Sequence, residues 1–170
     1  MHKLRLGTRG SKLALWQAEC VSRQIRLIHP RIEIEIEIIK TKGDIILDVA
    51  LSKIGDKGLF TKEIENELLM GKIDLAVHSM KDMPSVITEG LCLGGVLSRD
   101  NPCDVLISHK GYMIADLPYG AVIGTSSLRR IAQLKALRPD IQVVDMRGNV
   151  ETRIKKMHDQ DLDGIVLAYA

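Results

Sequence analysis

Isoleucine and glutamate alternate along segment 32–38, with the period of two that is typical of a half-buried strand with a charged outer face. Upstream, segment 11–28 is predicted to be a helix, because Ser11 is a favourable N-cap and Pro30 bars its continuation. From 41 to 58 the chain instead carries glycines and lysines without a regular pattern. This part is predicted to be a long irregular connection of the kind that forms binding loops and lids.

Strands and helices are predicted to alternate along the whole chain. The predicted strands cover 4–7, 32–38, 73–77, 91–97, 105–107, 121–124, 142–144 and 164–168, and the further helices cover 60–70, 128–137 and 150–157. This order predicts an α/β fold with mostly parallel sheets that are covered by helices on both faces.

A polar segment with a proline, 98–102, separates two such runs of elements. We therefore predict a first α/β domain at 1–98, a hinge at 99–104 and a second α/β domain at 105–170. Ligands of parallel sheets bind outside the carboxyl ends of the strands. Polar residues follow several of these strands, so we expect them to line one cleft between the two domains.

Composition narrows the class of protein. Aromatic residues make up 3% of the chain, which disfavours the stacking platforms that bind single-stranded nucleic acid. The three cysteines are widely spaced and fit neither a disulfide framework nor a zinc site, so no metal is expected. With neither a signal peptide nor a run of roughly 18 apolar residues, we expect a cytoplasmic protein that makes no membrane contact.

Arginines gather at the starts of two predicted helices. The polar residues of these two stretches are Thr125, Ser126, Ser127, Arg129, Arg130, Arg147, Asn149 and Arg153. A cation at a helix N-terminus opposes the helix dipole, so we expect a bound anion there. Guanidinium groups, hydroxyls and free N–H groups together suit a carboxylate or a phosphate. The alternative is that these arginines are solvated surface residues.

Asp82 is the prominent carboxylate among the cations at the predicted strand ends. It follows strand 73–77 directly, next to Lys81, and Arg9 follows the first strand in the same manner. Such a carboxylate is expected to stay ionised and to stabilise positive charge or move a proton. Alternatively, Asp82 is a turn residue that pairs with Lys81. His78 is expected to be a structural hydrogen-bonding residue.

Other chemical motifs are absent or weak. The chain has no Walker loop, no Gly-x-Gly-x-x-Gly and no His-Glu-x-x-His pattern, which argues against nucleotide and zinc-hydrolase chemistry. Segment 54–58 imitates the Gly-x-x-Gly loop of KH modules, but Thr61 occupies a position where that pattern has an aliphatic residue.

Five stretches of the chain resemble motifs of the porphobilinogen deaminase family, also called hydroxymethylbilane synthases. They are TRGSKLALWQA at 8–18, KGLF at 57–60, AVHSMKD at 76–82, GTSSLRR at 124–130 and RGNV at 147–150. The resemblance implies a three-domain transferase of tetrapyrrole and heme biosynthesis, whose first two domains are similar to type II periplasmic binding proteins. Such an enzyme joins four porphobilinogen units head to tail, releasing ammonia each time, on a dipyrromethane primer held by a cysteine.

The resemblance also implies roles for individual residues. Asp82 matches the catalytic aspartate, which stabilises the azafulvenium formed when ammonia leaves. Phe60 lies in or beside the mobile active-site loop of the family. The positions implied to hold the carboxylates of the primer and of the growing polypyrrole are Arg9, Ser11, Lys57, Lys81, Thr125, Ser126, Ser127, Arg129, Arg130, Arg147, Asn149 and Arg153.

Family members are longer than this chain, which ends in the apolar stretch 165–170. None of Cys20, Cys92 and Cys103 lies in the context of the cysteine that anchors the primer. We therefore expect the second domain to be incomplete, the isolated chain to be inactive, and its sheet edge to promote self-association. Two alternatives stay open: a non-catalytic binding protein for a small polycarboxylate, and a nucleic-acid binder that uses the arginines on phosphates.

Overall fold

Residues 3–45 and 58–170 are described in this computed structural model, and their strands form two separate sheets. The chain divides accordingly into two units. Among the described residues, the first unit comprises 3–45 and 58–97, and the second comprises 98–170. Each unit has helices packed on its own sheet, which confirms the predicted α/β class.

The first unit contains a three-stranded parallel sheet in the order β2-β1-β3. Its strands are β1 (Lys3–Thr8), β2 (Glu33–Ile38) and β3 (Leu75–Ala76), and its helices are α1 (Lys12–Ile28), α2 (Lys42–Ile45) and α3 (Lys62–Leu69). The central strand β1 buries Leu6 and Thr8 completely. The carboxyl ends of β1 and β3 therefore lie side by side, and the residues that follow them are brought together.

Helix α1 begins where its N-cap predicts. The Ser11 hydroxyl accepts a hydrogen bond from the Ala14 N–H at 3.3 Å, which satisfies one free donor of the first turn. Small residues form its buried face, namely Ala14, Ala18 and Ser22. The Thr8 hydroxyl donates to the Ala14 carbonyl at 3.2 Å and ties this first turn to the end of β1.

The prediction of an irregular connection over 41–58 is wrong at its start, where α2 forms. Thr41 precedes this helix, and its N–H and hydroxyl donate to the Asp44 carboxylate at 3.3 and 2.8 Å. The bond from the Thr41 N–H to the side chain of the third helical residue is one half of a capping box, and it stabilises the single turn of α2. Residues 46–57 lie outside the described part of the chain.

The predicted strand at 91–97 is wrong, because this segment has no regular structure. All its residues except Leu91 are exposed. An apolar segment becomes a strand only when a neighbour supplies the hydrogen-bonded ladder, and no described strand pairs with this one. Gly94 and Gly95 also lower the strand propensity of its middle.

The second unit has a four-stranded sheet in the order β4-β7-β5-β6. Strand β4 pairs antiparallel with β7, and the other pairs are parallel. The elements are β4 (Asp104–Ile107), β5 (Val122–Gly124), α4 (Leu128–Leu137), β6 (Gln142–Val144), α5 (Val150–Asp159) and β7 (Gly164–Ala168). The predicted bounds of α4, β6 and β7 are confirmed.

Two apolar clusters cover the two faces of this second sheet. Leu134 of α4 packs in one cluster with Val166, and Met157 of α5 packs in the other with Ile165 and Leu167. Because successive residues of a strand point to opposite faces, these neighbours on β7 place the clusters on opposite sides. The prediction of helices on both faces of the sheet is confirmed for this unit, and the apolar strand β7 is an interior strand.

Candidate functional site

A small recess of about 40 Å³ lies at the carboxyl ends of β1 and β3 in the first unit. Its polar lining consists of Arg9, Ser11, Gln17, His78, Ser79 and Asp82. Three residues predicted from two separate motifs, Arg9, Ser11 and Asp82, are thus brought together. Lys81 precedes Asp82 in the sequence and is exposed, but it does not line the recess. Lys57 lies outside the described residues.

Asp82 ends a single 3₁₀ turn, Met80–Asp82, that follows β3. The turn is held by the backbone, since the Asp82 N–H donates to the Ser79 carbonyl at 2.9 Å. The Asp82 side chain is exposed, and its carboxylate has no hydrogen bond or ion pair with any described residue. The turn therefore leaves this carboxylate available to a ligand.

Three further polar side chains line the recess with Asp82, namely Gln17, His78 and Ser79. The Gln17 amide donates to the Ser79 hydroxyl at 2.9 Å, which links α1 to the segment after β3. Burial lowers the pKa of His78, whereas the negative charges of Glu65 and Asp82 partly raise it. The net direction is downward, so His78 presents a neutral imidazole to this recess at neutral pH.

The Arg9 guanidinium is held on one side by a carboxylate of its own unit. Its Nε donates to Asp44 Oδ1 at 3.1 Å, and its Nη2 donates to the same oxygen. The guanidinium also lies over the Phe60 ring, with Cζ 4.3 Å from the ring centroid. Sequence reasoning missed Asp44, although the pattern Thr41-x-x-Asp44 was a usable signal for the capping turn.

The loop 125–127 of the second unit carries three hydroxyl groups, and two of them form hydrogen bonds within the unit. The Ser126 hydroxyl donates to the Met146 carbonyl and accepts from the Met146 N–H, both at 2.9 Å. Buried Thr125 accepts from the Ser127 N–H through its hydroxyl at 3.3 Å. Ser127 precedes α4 without a side-chain cap bond. Of these hydroxyls, that of Ser127 is left for a ligand.

Arg129 and Arg130 already have an anionic partner within the unit. Arg129 Nη2 lies 2.7 Å from Asp104 Oδ2, and Arg130 Nη2 donates to Asp104 Oδ1 at 2.8 Å. Arg130 Nη1 also donates to the Val166 carbonyl at 3.0 Å. Asp104 of β4 supplies one negative charge to these two arginines, so a net charge of +1 remains and the bound anion expected near them stays a prediction.

The start of α5 is also held by internal bonds. The Asn149 side-chain oxygen accepts from the N–H and the hydroxyl of Thr152, both at 2.8 Å, which is N-cap geometry. Arg153 Nε donates to the Gly148 carbonyl at 2.7 Å. Asn149 and Arg153 thus shape this turn, and Arg147 lies just before it.

Arg147 is a buried arginine of the second unit with an unpartnered nitrogen. The residue is 7% exposed, and its Nη1 atom is buried without a hydrogen-bond partner among the described residues. A buried guanidinium without a counter-charge is costly. An anion that reached Nη1 would remove this cost, so the geometry favours a carboxylate or phosphate at this point.

Acid titration should reveal the ion pair of Asp104. Hydrogen bonds from Arg130 and Arg129 hold the pKa of Asp104 below its ordinary value of 3.8, against the opposing effect of burial. A group with a lowered folded-state pKa stabilises the fold above its unfolded pKa and loses that effect as pH falls. We expect Asp104→Asn to be less stable than wild type at pH 6 in urea unfolding.

This difference in unfolding free energy should shrink as pH falls below about 4, because protonation removes the same charge in the wild type. Asp116→Asn is the control, since Asp116 is exposed and has no side-chain bond to a described residue. A difference that stayed constant across this pH range would show that the charge of Asp104 does not stabilise the unit.

Two further findings concern the described residues only. No group of three or more histidine, cysteine or acidic side chains among them is arranged to hold a metal ion. None of their helices has the length and apolar character needed to cross a membrane.

Comparison with known proteins identifies relatives over the whole chain. A family model described as "Porphobilinogen deaminase, dipyromethane cofactor binding domain" matches residues 4–170. A porphobilinogen deaminase of Syntrophomonas wolfei is 69% identical over 100% of this chain and 56% of its own length. Those of Carboxydothermus hydrogenoformans and Clostridioides difficile are 59% and 58% identical, over 97% and 96% of this chain and 53% and 54% of theirs. The chain spans about half the length of these curated relatives.

Proposed function

The chain belongs to the porphobilinogen deaminase family, and from this premise we propose that it carries the carboxylate-binding and catalytic groups of a hydroxymethylbilane synthase. In this proposal the enzyme joins four porphobilinogen units head to tail and releases one ammonia for each. The observation that carries it is the buried, unpartnered Nη1 of Arg147. Each pyrrole of the substrate brings acetate and propionate groups that suit such a donor.

We assign the carboxylate-binding residues by whether their hydrogen-bond donors are already used within the protein. Arg147 has an unpartnered buried Nη1, Arg9 keeps donors that Asp44 does not use, and Ser127 has an unused hydroxyl. These residues are proposed to hold carboxylates directly. Arg130 has both terminal nitrogens bonded within the unit and a buried Nε without a described partner, so binding through its terminal nitrogens requires that Asp104 or Val166 release them. Ser126, Asn149 and Arg153 are proposed to shape the loops.

The dipyrromethane cofactor of the family fits this donor set. In the second unit its carboxylates match the orphaned guanidinium nitrogen of Arg147 and the hydroxyl of Ser127, and these two residues would hold it. When bound, the cofactor supplies the free pyrrole position to which the first substrate unit is joined.

Asp82 is proposed as the catalytic residue. Departure of ammonia from porphobilinogen leaves positive charge on the substrate ring, and an ionised carboxylate beside that ring stabilises this charge. The exposed and unpaired state of Asp82 leaves it free to bond the pyrrole N–H. His78, a neutral imidazole in the same recess, is available as a hydrogen-bond acceptor.

We further propose that the two units correspond to the first two domains of the family, each similar to a lobe of a type II periplasmic binding protein. The proposed boundaries are 1–98 and 105–170, with 99–104 as the hinge. The parallel order β2-β1-β3 and the mixed order β4-β7-β5-β6 are compatible with this assignment.

The proposed function is tested by incubating the purified protein, expressed at its natural length from its own gene, with porphobilinogen. We expect consumption of porphobilinogen, release of an equal number of ammonia molecules, and a linear tetrapyrrole that is detected by absorbance after oxidation. Porphobilinogen that binds in calorimetry without release of ammonia would instead identify a polycarboxylate-binding protein. Stronger binding of an oligonucleotide, falling steeply with salt, would favour the nucleic-acid alternative.

A further inference from the structure

Asp44 bonds only one side of the Arg9 guanidinium. Nε donates to Oδ1 and Oδ2 at 3.1 and 3.3 Å, and Nη2 donates to Oδ1. A guanidinium has a second bidentate edge, formed by Nη1 and the other N–H of Nη2. No described residue accepts a hydrogen bond from Nη1, so this terminal edge retains its donors for a ligand.

The Asp44 carboxylate is itself fixed by its neighbours. Thr41, which is completely buried, donates to Oδ2 from its hydroxyl at 2.8 Å and from its N–H at 3.3 Å. Burial alone raises the pKa of Asp44, but the hydrogen bonds from Arg9 and Thr41 outweigh it and hold this pKa below its ordinary value. Asp44 is therefore an ionised and immobile partner for Arg9 at neutral pH.

Phe60 fixes the plane of the same guanidinium. Its ring lies beneath Arg9 Cζ at 4.3 Å. The ring also packs against the α2 turn at Gly43, where an added Cβ would lie 2.2 Å from Phe60 Cε1. Only glycine permits this close approach. The α2 turn, the Phe60 ring and the Arg9 guanidinium therefore pack together as one cluster.

We propose that Asp44 is a positioning residue for carboxylate binding, which holds the side edge of Arg9 so that its terminal edge faces an acetate or propionate group of a pyrrole. This inference rests on the proposed function. A competing anion would occupy the terminal edge that the ligand needs, whereas Asp44 occupies the other one. Arg9 lines the same recess as Asp82, so an oriented Arg9 also orients the substrate relative to the catalytic carboxylate.

The test compares Asp44→Asn and Asp44→Ala in the natural-length protein. Loss of one oriented, charge-assisted contact should raise the KM for porphobilinogen about tenfold or more, with a smaller change in kcat. Asn should be milder than Ala, because its side-chain oxygen still accepts from Thr41 and Arg9. The matched control is Asp74→Asn, which breaks the exposed pair between Asp74 and Arg5 of the same unit outside the recess.

A double-mutant cycle separates positioning from general stability. In an Arg9→Met background, Asp44→Asn should add little to the rise in KM, because Asp44 acts through Arg9. A KM that is unchanged in folded Asp44→Asn and Asp44→Ala, or an equal rise with and without Arg9, overturns the inference. A lower KM would instead identify Asp44 as an internal competitor. If the wild type itself neither binds nor converts porphobilinogen, the proposed function fails first, so the two failures are distinct.

Discussion

Asp82→Asn should lower the rate of porphobilinogen condensation by about two to three orders of magnitude, the usual cost of removing one preorganised electrostatic group. Asparagine keeps the size of the side chain and its hydrogen-bonding oxygen, but it loses the charge that stabilises a cationic substrate. The fold should be unaffected, because the turn Met80–Asp82 is held by backbone bonds and the carboxylate bonds no described residue. Binding of the primer should also be nearly unchanged.

The measurement is the single-turnover rate of ammonia release, with primer loading followed by intact mass. Asp116→Asn serves as the control, because Asp116 is an exposed aspartate in a comparable 3₁₀ turn of the other unit. Turnover of Asp82→Asn within a few-fold of the control would remove Asp82 from the mechanism. A fall in primer loading as large as the fall in rate would make it a binding residue.

The sequence predicts the helix and strand framework well where local signals agree. Helix α4 has its predicted bounds, and α1 begins after its predicted N-cap, since caps and short apolar runs act within a few residues. Segment 91–97 shows the limit of this reasoning. Its apolar composition is that of a strand, but a strand exists only with a partner, and pairing depends on residues distant in sequence.

In the candidate site, too, local sequence predicts some features, and contacts between distant residues determine the others. Arg9 and Asp82 each follow a parallel strand, and they line one recess. This is expected because ligands of parallel sheets bind outside the carboxyl ends of the strands. The partners of the arginines were missed, because Asp44 is 35 residues from Arg9, and Asp104 is 26 from Arg130. Helix-dipole reasoning correctly identified a need for negative charge near α4, but it does not tell whether a ligand or the chain supplies it.

The arginines of the second unit therefore differ in kind, although they look alike in sequence. Arg130 shares Asp104 with Arg129 and has both terminal nitrogens bonded within the unit, although its buried Nε has no described partner. Arg147 is buried with an unpartnered Nη1 and no hydrogen bond to a described residue, so it is expected to destabilise the same unit. A residue that costs stability in the free protein and gains a partner on binding is expected at a ligand site.

Arg147→Met should consequently have opposite effects on stability and on binding. Methionine has a similar length without charge, so the free energy of unfolding of the ligand-free protein should rise, by up to about 4 kcal/mol on the scale found when buried ion pairs are replaced by apolar groups. Affinity for porphobilinogen should fall by about one to two orders of magnitude with the loss of a charge-assisted bond.

Thermal melts with and without porphobilinogen measure both effects, because a ligand that binds more tightly raises the melting temperature more at the same concentration. The wild type should shift upward with ligand, and Arg147→Met should start higher and shift little. Arg31→Met, at an exposed arginine of the first unit, should match the wild type in both melts. A large loss of stability in ligand-free Arg147→Met would mean that the buried guanidinium is paired within the protein, and Arg147 would then be a structural residue.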